Sequence, residues 1–222
     1  MTHKFKIIRD WYESGEKIYN KISVEIKDGL TVLCGCNGCG KTTLLHQIKH
    51  TLSKENIPFL HFNNLLDGKN NSVSASLWHG DINFVAQAAC SSEGENINMN
   101  IGKFAQKMGS FVCKHQSAKE IFFLMDAIDS GLSIDNMIDT KRQLFDVVIE
   151  DCKSKGISVY IIVSANEYEL ARGEQCLDTL NLKYTEFSSY EEFRDYVIKT
   201  RKAKNERYKW GEWEESEENK ND

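Results

Sequence analysis

The sequence predicts an α/β protein, a mainly parallel central sheet with flanking helices and an N-terminal antiparallel β-hairpin. Three observations carry this. Two continuous apolar runs, residues 120–125 (EIFFLM) and 159–163 (VYIIV), lack the alternation of a half-exposed strand and read as strands buried on both faces. Helical patterns separate the strands, as crossover connections between parallel strands require. Between a short apolar strand and a helix start, residues 33–45 (LCGCNGCGKTTLL) fit G-x-x-x-x-G-K-[ST] at Gly35, Gly40, Lys41 and Thr42.

Taken in order, residues 5–9 and 18–26 are expected strands, with Ile22, Val24 and Ile26 on one face and a turn at 14–16 (SGE) between them. Residues 27–29 (KDG) turn the chain into the strand 30–34, and a helix starts at Thr42. Residues 58–63 (PFLHFN) are a short strand, 66–74 is rich in turn formers, and 76–89 holds a helix interrupted at Gly80. An amphipathic helix is expected over 97–112, then the strand 120–125 closed by Asp126, a turn at 130–133 (SGLS), and a helix over 134–155 ended by Gly156. After the strand 159–163, residues 174–178 and 183–187 form a small hairpin, and Ser189 starts a helix over about 190–209. The expected division is a main domain over 1–188, a basic helix over 189–210 and an acidic, disordered tail over 211–222 (GEWEESEENKND).

The glycine-rich pattern is a P-loop, and each residue type has a task. Glycines let backbone N–H groups turn inward onto phosphate oxygens, and the following helix points its positive end at the same anion. The expected cradle runs from Gly35 through Asn37, Gly38, Cys39 and Gly40 to Lys41, Thr42 and Thr43. Lys41 reaches the outer phosphates; Thr42 offers a hydroxyl to Mg²⁺. Asp126, at the carboxyl end of a buried strand, stands where α/β sheets bind ligands and would hold the same ion. Among Trp11, Tyr12 and Tyr19, Tyr12 is the favoured aromatic for stacking on the base, against ordinary sheet packing. Residues 92–95 (SEGE) read both as a capping box and as a second anion site made by Ser92 and Gly94 at a helix start.

Composition narrows the classes. Hydrophobic content of 41% and charged content of 27% suit a globular chain, and no apolar run is long enough to span a membrane. A net charge of −5 argues against general affinity for nucleic acid, leaving local patches such as Lys199, Arg201, Lys202, Lys204, Arg207 and Lys209 beside Tyr208 and Trp210, which also fit a solvated helix face. Seven cysteines without a signal-type leader lead to the expectation of a cytoplasmic protein with free thiols. The C-x-C-x-x-C of Cys34, Cys36 and Cys39 lies within the loop and reads as small side chains in a tight turn rather than a metal site.

The ordered set of P-loop, Ser92–Glu95, strand with Asp126, Ser130–Leu132 and final apolar strand resembles the ATP-binding-cassette ATPases, in particular the soluble heads of the SMC and double-strand-break-repair branch and small phage-type ATPases. Residues 38–45 (GCGKTTLL) are similar to the family's NGxGKTTLL. Residues 92–95 are similar to its signature, with Ser91 where leucine is usual, and 130–132 to its D-loop. The likeness covers residues 7–166. It implies a P-loop NTPase of the ABC-head type in which two copies sandwich two ATP–Mg²⁺ head to tail, each nucleotide completed by Ser92 and Gly94 of the other copy, as a homodimer. It also implies work on DNA in replication, repair or defence. An alternative is a near-inactive ATP-sensing subunit docked on an effector protein such as a nuclease; a small-molecule kinase is a third reading. Departures bear on rate. Ala127 replaces the Glu expected after Asp126, leaving Asp129 as the candidate base. Ser164, Ala165 and Asn166 stand where a switch histidine is usual, and Gln87 is a poor Q-loop candidate. Loss of a general base typically costs about 10²–10⁴-fold, so slow hydrolysis is expected.

Overall fold

The computed structural model describes residues 1–9, 18–63 and 93–207, with only the backbone for 93–100 and 207. Tyr12, Ser92, the turn at 14–16, the expected helix at 76–89 and the segment 208–222 lie outside the described residues.

The order of elements is β1 (Thr2–Lys6), β2 (Ser23–Lys27), β3 (Gly29–Cys34), α1 (Lys41–Glu55), β4 (Phe59–Asn63), α2 (Glu93–Lys114), β5 (Glu120–Asp126) and α3 (Ile134–Asp139). A π-helical segment (Thr140–Asp146) leads on to α4 (Val147–Ser154), β6 (Ser158–Ser164), α5 (Tyr168–Ala171), β7 (Gln175–Asp178), β8 (Lys183–Thr185) and α6 (Tyr190–Arg207). The predicted single helix over 134–155 is thus one continuous rod whose middle is wound wider. The N-terminal pair forms antiparallel as expected, with strands at Thr2–Lys6 and Ser23–Lys27 where 5–9 and 18–26 are expected from sequence. Thr2 faces Lys27 and Phe5 faces Val24 in an antiparallel two-stranded sheet. Ile7 N–H donates to the Ile22 carbonyl (2.8 Å), extending the pairing toward the turn.

The main sheet has six strands in the order β4-β5-β6-β3-β7-β8. All neighbours are parallel except β7 and β8, which form the predicted terminal hairpin. The two apolar runs lie inside this sheet, β6 between β3 and β5, which explains why neither alternates.

Alternate residues of each inner strand go to opposite layers. Ile121, Phe123 and Met125 of β5 join Phe104, Met108, Phe145, Val148 and Phe193 on one face. Phe122 and Leu124 face Leu44, Leu45 and Ile48 of α1 and Phe5, Val24 and Ile26 of the hairpin on the other. Phe122 and Tyr160 stack at 4.4 Å with an interplanar angle of 9°. Burial of each such side chain contributes roughly 1.5–3 kcal/mol. The result is three layers that hold β3, β5 and β6 in fixed register. Leu33 sits beside Ser164, Met125 beside Val163, and Asn63 beside Asp126. Their carboxyl ends therefore share one edge, where the P-loop, Asp126 and Ser164 meet.

Among the described residues no helix is long and apolar enough to cross a membrane, and the six described cysteines are free.

Candidate nucleotide site

The loop between β3 and α1 has the predicted sequence–structure match. Gly40 adopts φ 102° and leads straight into α1, whose first turn has no acidic residue and no side-chain cap. A helix start of this kind suits an anion. A Cβ at Gly40 would lie 2.7 Å from Ile18 Cγ2, so glycine is required both by conformation and by space. Tyr19 is fully buried and its hydroxyl donates to the Gly40 carbonyl at 2.7 Å, so this aromatic supports the loop from behind and is not free to stack on a base.

Lys41 is nearly buried, and its ammonium donates to the carbonyls of Gly35 (2.7 Å) and Cys36 (3.2 Å). Across the mouth, Thr42 Oγ1 donates to Asp126 Oδ1 at 3.2 Å. Asp126 also accepts from the Ser164 hydroxyl and, at 3.3 Å, from the Asn63 amide. Ser164 in turn accepts from the Ala127 N–H at 2.8 Å. Lys41, Thr42, Asp126, Ala127 and Ser164 border a cleft of about 330 Å³ that Ile18, Asn37, Gly38, Thr43 and Asn166 also line, while Asn63 supports Asp126 beside it. Sequence reasoning brought Lys41, Thr42 and Asp126 to this place; it missed Asn63 and Ile18, which carry no motif. Asn63 is found only once register places the end of β4 beside Asp126.

The donor set fits Mg²⁺. Thr42 and Asp126 offer adjacent hard oxygens, and Mg²⁺ commonly takes one or two protein oxygens, filling its other positions with water and phosphate. The described residues hold no cluster of three His, Cys, Asp or Glu that would form an all-protein cage.

Asp129, the candidate base, does not line the cleft. Its Oδ2 accepts from the backbone N–H of Asn166 and, at 2.9 Å, of Glu167, and its Oδ1 is buried with no partner among the described residues. It therefore fixes the turn after β6 and, through it, Asn166, which does face the cleft. Ala127 has φ 51°, so the chain turns sharply directly after Asp126. Gly94 falls in the first turn of α2, which begins at Glu93, four residues ahead of the expected start.

The loop is braced from outside by α6. Tyr196 hydroxyl donates to the Cys34 carbonyl (3.2 Å), Cys36 N–H donates to Thr200 Oγ1 (3.1 Å), and Lys204 Nζ donates to the Asn37 carbonyl (3.1 Å). The basic stripe read in sequence as a solvated or nucleic-acid-binding face thus has one side turned to the P-loop. The signal available was Thr200, a short polar residue one helical turn from Tyr196 and Lys204.

Cys36 and Cys39 close a turn through Cys39 N–H to the Cys36 carbonyl (3.2 Å), and both side chains are buried. The Cys36 thiol is pulled down from 9.0 to about 6 by a hydrogen bond with the Cys39 thiol, helped by the Lys204 and Lys41 ammoniums and opposed by burial. The same hydrogen bond, with burial, raises Cys39. Across pH 6 to 9 the unfolded Cys36 thiol holds more proton than the folded one. Its contribution to stability therefore grows as pH rises through that window, is complete above 9, and is lost as pH falls through about 6. Ultraviolet titration of thiolate absorbance is expected to show a step near pH 6 that Cys36→Ser removes; a first step near 9 would overturn the assignment.

Neither a family model nor a curated protein matches the sequence. Among solved structures, the chain is similar to the pCW3 conjugation coupling protein TcpA, solved in its monomer form with ATPγS, at 14% identity and a TM-score of 0.34 over 82% of this chain. The chain spans 56% of that protein's length.

Proposed function

We propose that this cleft binds a nucleoside triphosphate, ATP by the sequence resemblance, with Mg²⁺, and hydrolyses it slowly. The observation that carries the reading is the Thr42–Asp126 pair set opposite Lys41 at the mouth of the P-loop. Phosphates lie on the loop N–H groups and the start of α1, Lys41 holds the outer phosphates, and Thr42 and Asp126 hold the ion. Held there, Mg²⁺ would supply neutralisation of charge developing on the phosphates. Ser164 and Asn63 keep the Asp126 carboxylate oriented. With Ala127 in place of an acid and Asp129 tied to backbone N–H groups, activation of water through Asp129 requires the turn at 166–167 to open, which supports slow turnover.

The finer reading follows the same resemblance. Two copies join head to tail around two nucleotides, Ser92 and Gly94 of one completing the site of the other, in a soluble ABC- or SMC-type head acting on DNA. The test is the molar mass and ATP turnover of the purified chain in Mg²⁺–ATP, with and without DNA. The expected result is an ATP-dependent dimer with slow, DNA-stimulated hydrolysis, and Ser92→Arg leaves ATP binding in place while abolishing the dimer. Dimers without turnover favour an ATP-sensing subunit docked on an effector protein. A chain that stays monomeric with ATP overturns the sandwich reading.

A further inference from the structure

A second cavity, of about 390 Å³, lies between the P-loop and α6. Cys36, Asn37 and Asn166 form its inner wall, and Arg201 and Lys204 of α6 its outer one. Asn37 and Asn166 line both this cavity and the nucleotide cleft, so the two spaces meet at those residues. Among the described residues the lining of this second cavity carries two cations, Arg201 and Lys204, and no carboxylate, in a chain whose net charge is −5.

The two cations are placed differently. Lys204 is fixed on the Asn37 carbonyl. Arg201, one helical turn earlier, is exposed and has no hydrogen-bond or ion-pair partner among the described residues, whereas Arg172 and Arg194 each lie beside a carboxylate. A guanidinium open to a cavity edged by backbone and amide groups suits a phosphate oxygen, which it can meet with two parallel N–H bonds. Lys41 shows which phosphate. Its ammonium ends on the carbonyls of Gly35 and Cys36, residues of the second cavity's wall, so the outer phosphates it would hold lie at the junction of the two spaces.

We infer that Arg201 of the C-terminal helix contacts the terminal phosphate of a nucleoside triphosphate held in the P-loop of the same chain, so that α6 distinguishes triphosphate from diphosphate. This rests on the nucleotide reading above and deepens it. A diphosphate occupies the loop and leaves the junction empty. A triphosphate bridges Lys41 and Arg201, and so ties α6 to the occupied state.

The experiment compares ADP and ATPγS affinities, with Mg²⁺, for the full chain and for Arg201→Ala and Arg201→Lys. Loss of a charge-assisted contact is expected to weaken ATPγS about tenfold or more in Arg201→Ala, with ADP affinity moving less than about twofold, and Arg201→Lys recovering part of the difference. Arg201 is at the surface, so the variant is expected to fold; its melting temperature checks this. Equal ATPγS affinity in the full chain and Arg201→Ala overturns the proposal alone, as does equal weakening of both nucleotides. Failure of the unsubstituted chain to bind either nucleotide overturns the nucleotide reading and the proposal with it. Should Arg201→Ala instead lower affinity for single-stranded DNA while leaving ATPγS unchanged, the cavity serves an external polyanion and the proposal falls.

Discussion

Lys41→Ala is expected to lower affinity for ATP on the order of 10³-fold, measured by calorimetric titration, because a phosphate group loses its buried charged partner. An ammonium has three donors. Two are used on the Gly35 and Cys36 carbonyls, which leaves one for a phosphate oxygen while the other two keep the loop shaped around it. Alanine removes all three at once. It also leaves two loop carbonyls without that donor, so a modest fall in melting temperature accompanies the loss of binding. The loop N–H groups and the start of α1 remain, and weak residual binding at millimolar ATP is consistent with them. A variant that still binds within threefold of the unsubstituted chain would place the nucleotide elsewhere.

Asp126→Asn is the second. It preserves volume and removes one negative charge at the point where Thr42, Ser164 and Asn63 converge. Mg²⁺-dependent turnover is expected to fall roughly 10³-fold, since the ion would lose the carboxylate proposed to hold it. Nucleotide affinity in EDTA is expected to change little, which separates the metal's contribution from that of the loop. Three donors face this carboxylate and an amide can accept only through its oxygen, so about 1–3 kcal/mol of stability is also lost. Denaturant unfolding measures that part independently. Turnover that survives the substitution would show that the ion, if used, is held by other groups.

The central features of the site were legible because each is local. The P-loop is eight consecutive residues, and Asp126 ends a short apolar run that suits a buried strand. The hairpin and the βα alternation followed from period and turn chemistry. What could not be read depends on distance in the chain. Asn63 meets Asp126 through the pairing of β4 with β5, across a separation that no motif bridges. Thr200 and Lys204 meet the loop because β7 extends the sheet beside β3 and the hairpin returns the chain so that α6 lies against the P-loop. In sequence the charge of Lys204 pointed only to solvent or nucleic acid, and Thr200 carried no signal of its own. Asp129 shows the opposite case: its spacing from Asp126 suggested a base, whereas the left-handed turn at Ala127 carries it away from the cleft and onto the Asn166 and Glu167 N–H groups.

The bracing of the P-loop by α6 has a consequence in terms of tethering. Lys204 touches the loop and Arg207 is the last described residue of the helix, only about 4.5 Å further along its axis. A group attached at the end of α6 is held within a short reach of the nucleotide cleft. The amino terminus is anchored elsewhere: Met1 pairs with Asp28, at the opposite end of β3 from the P-loop. A fluorophore near the end of α6 is therefore placed to report nucleotide occupancy, while an affinity handle belongs at the amino side, where it leaves the cleft alone.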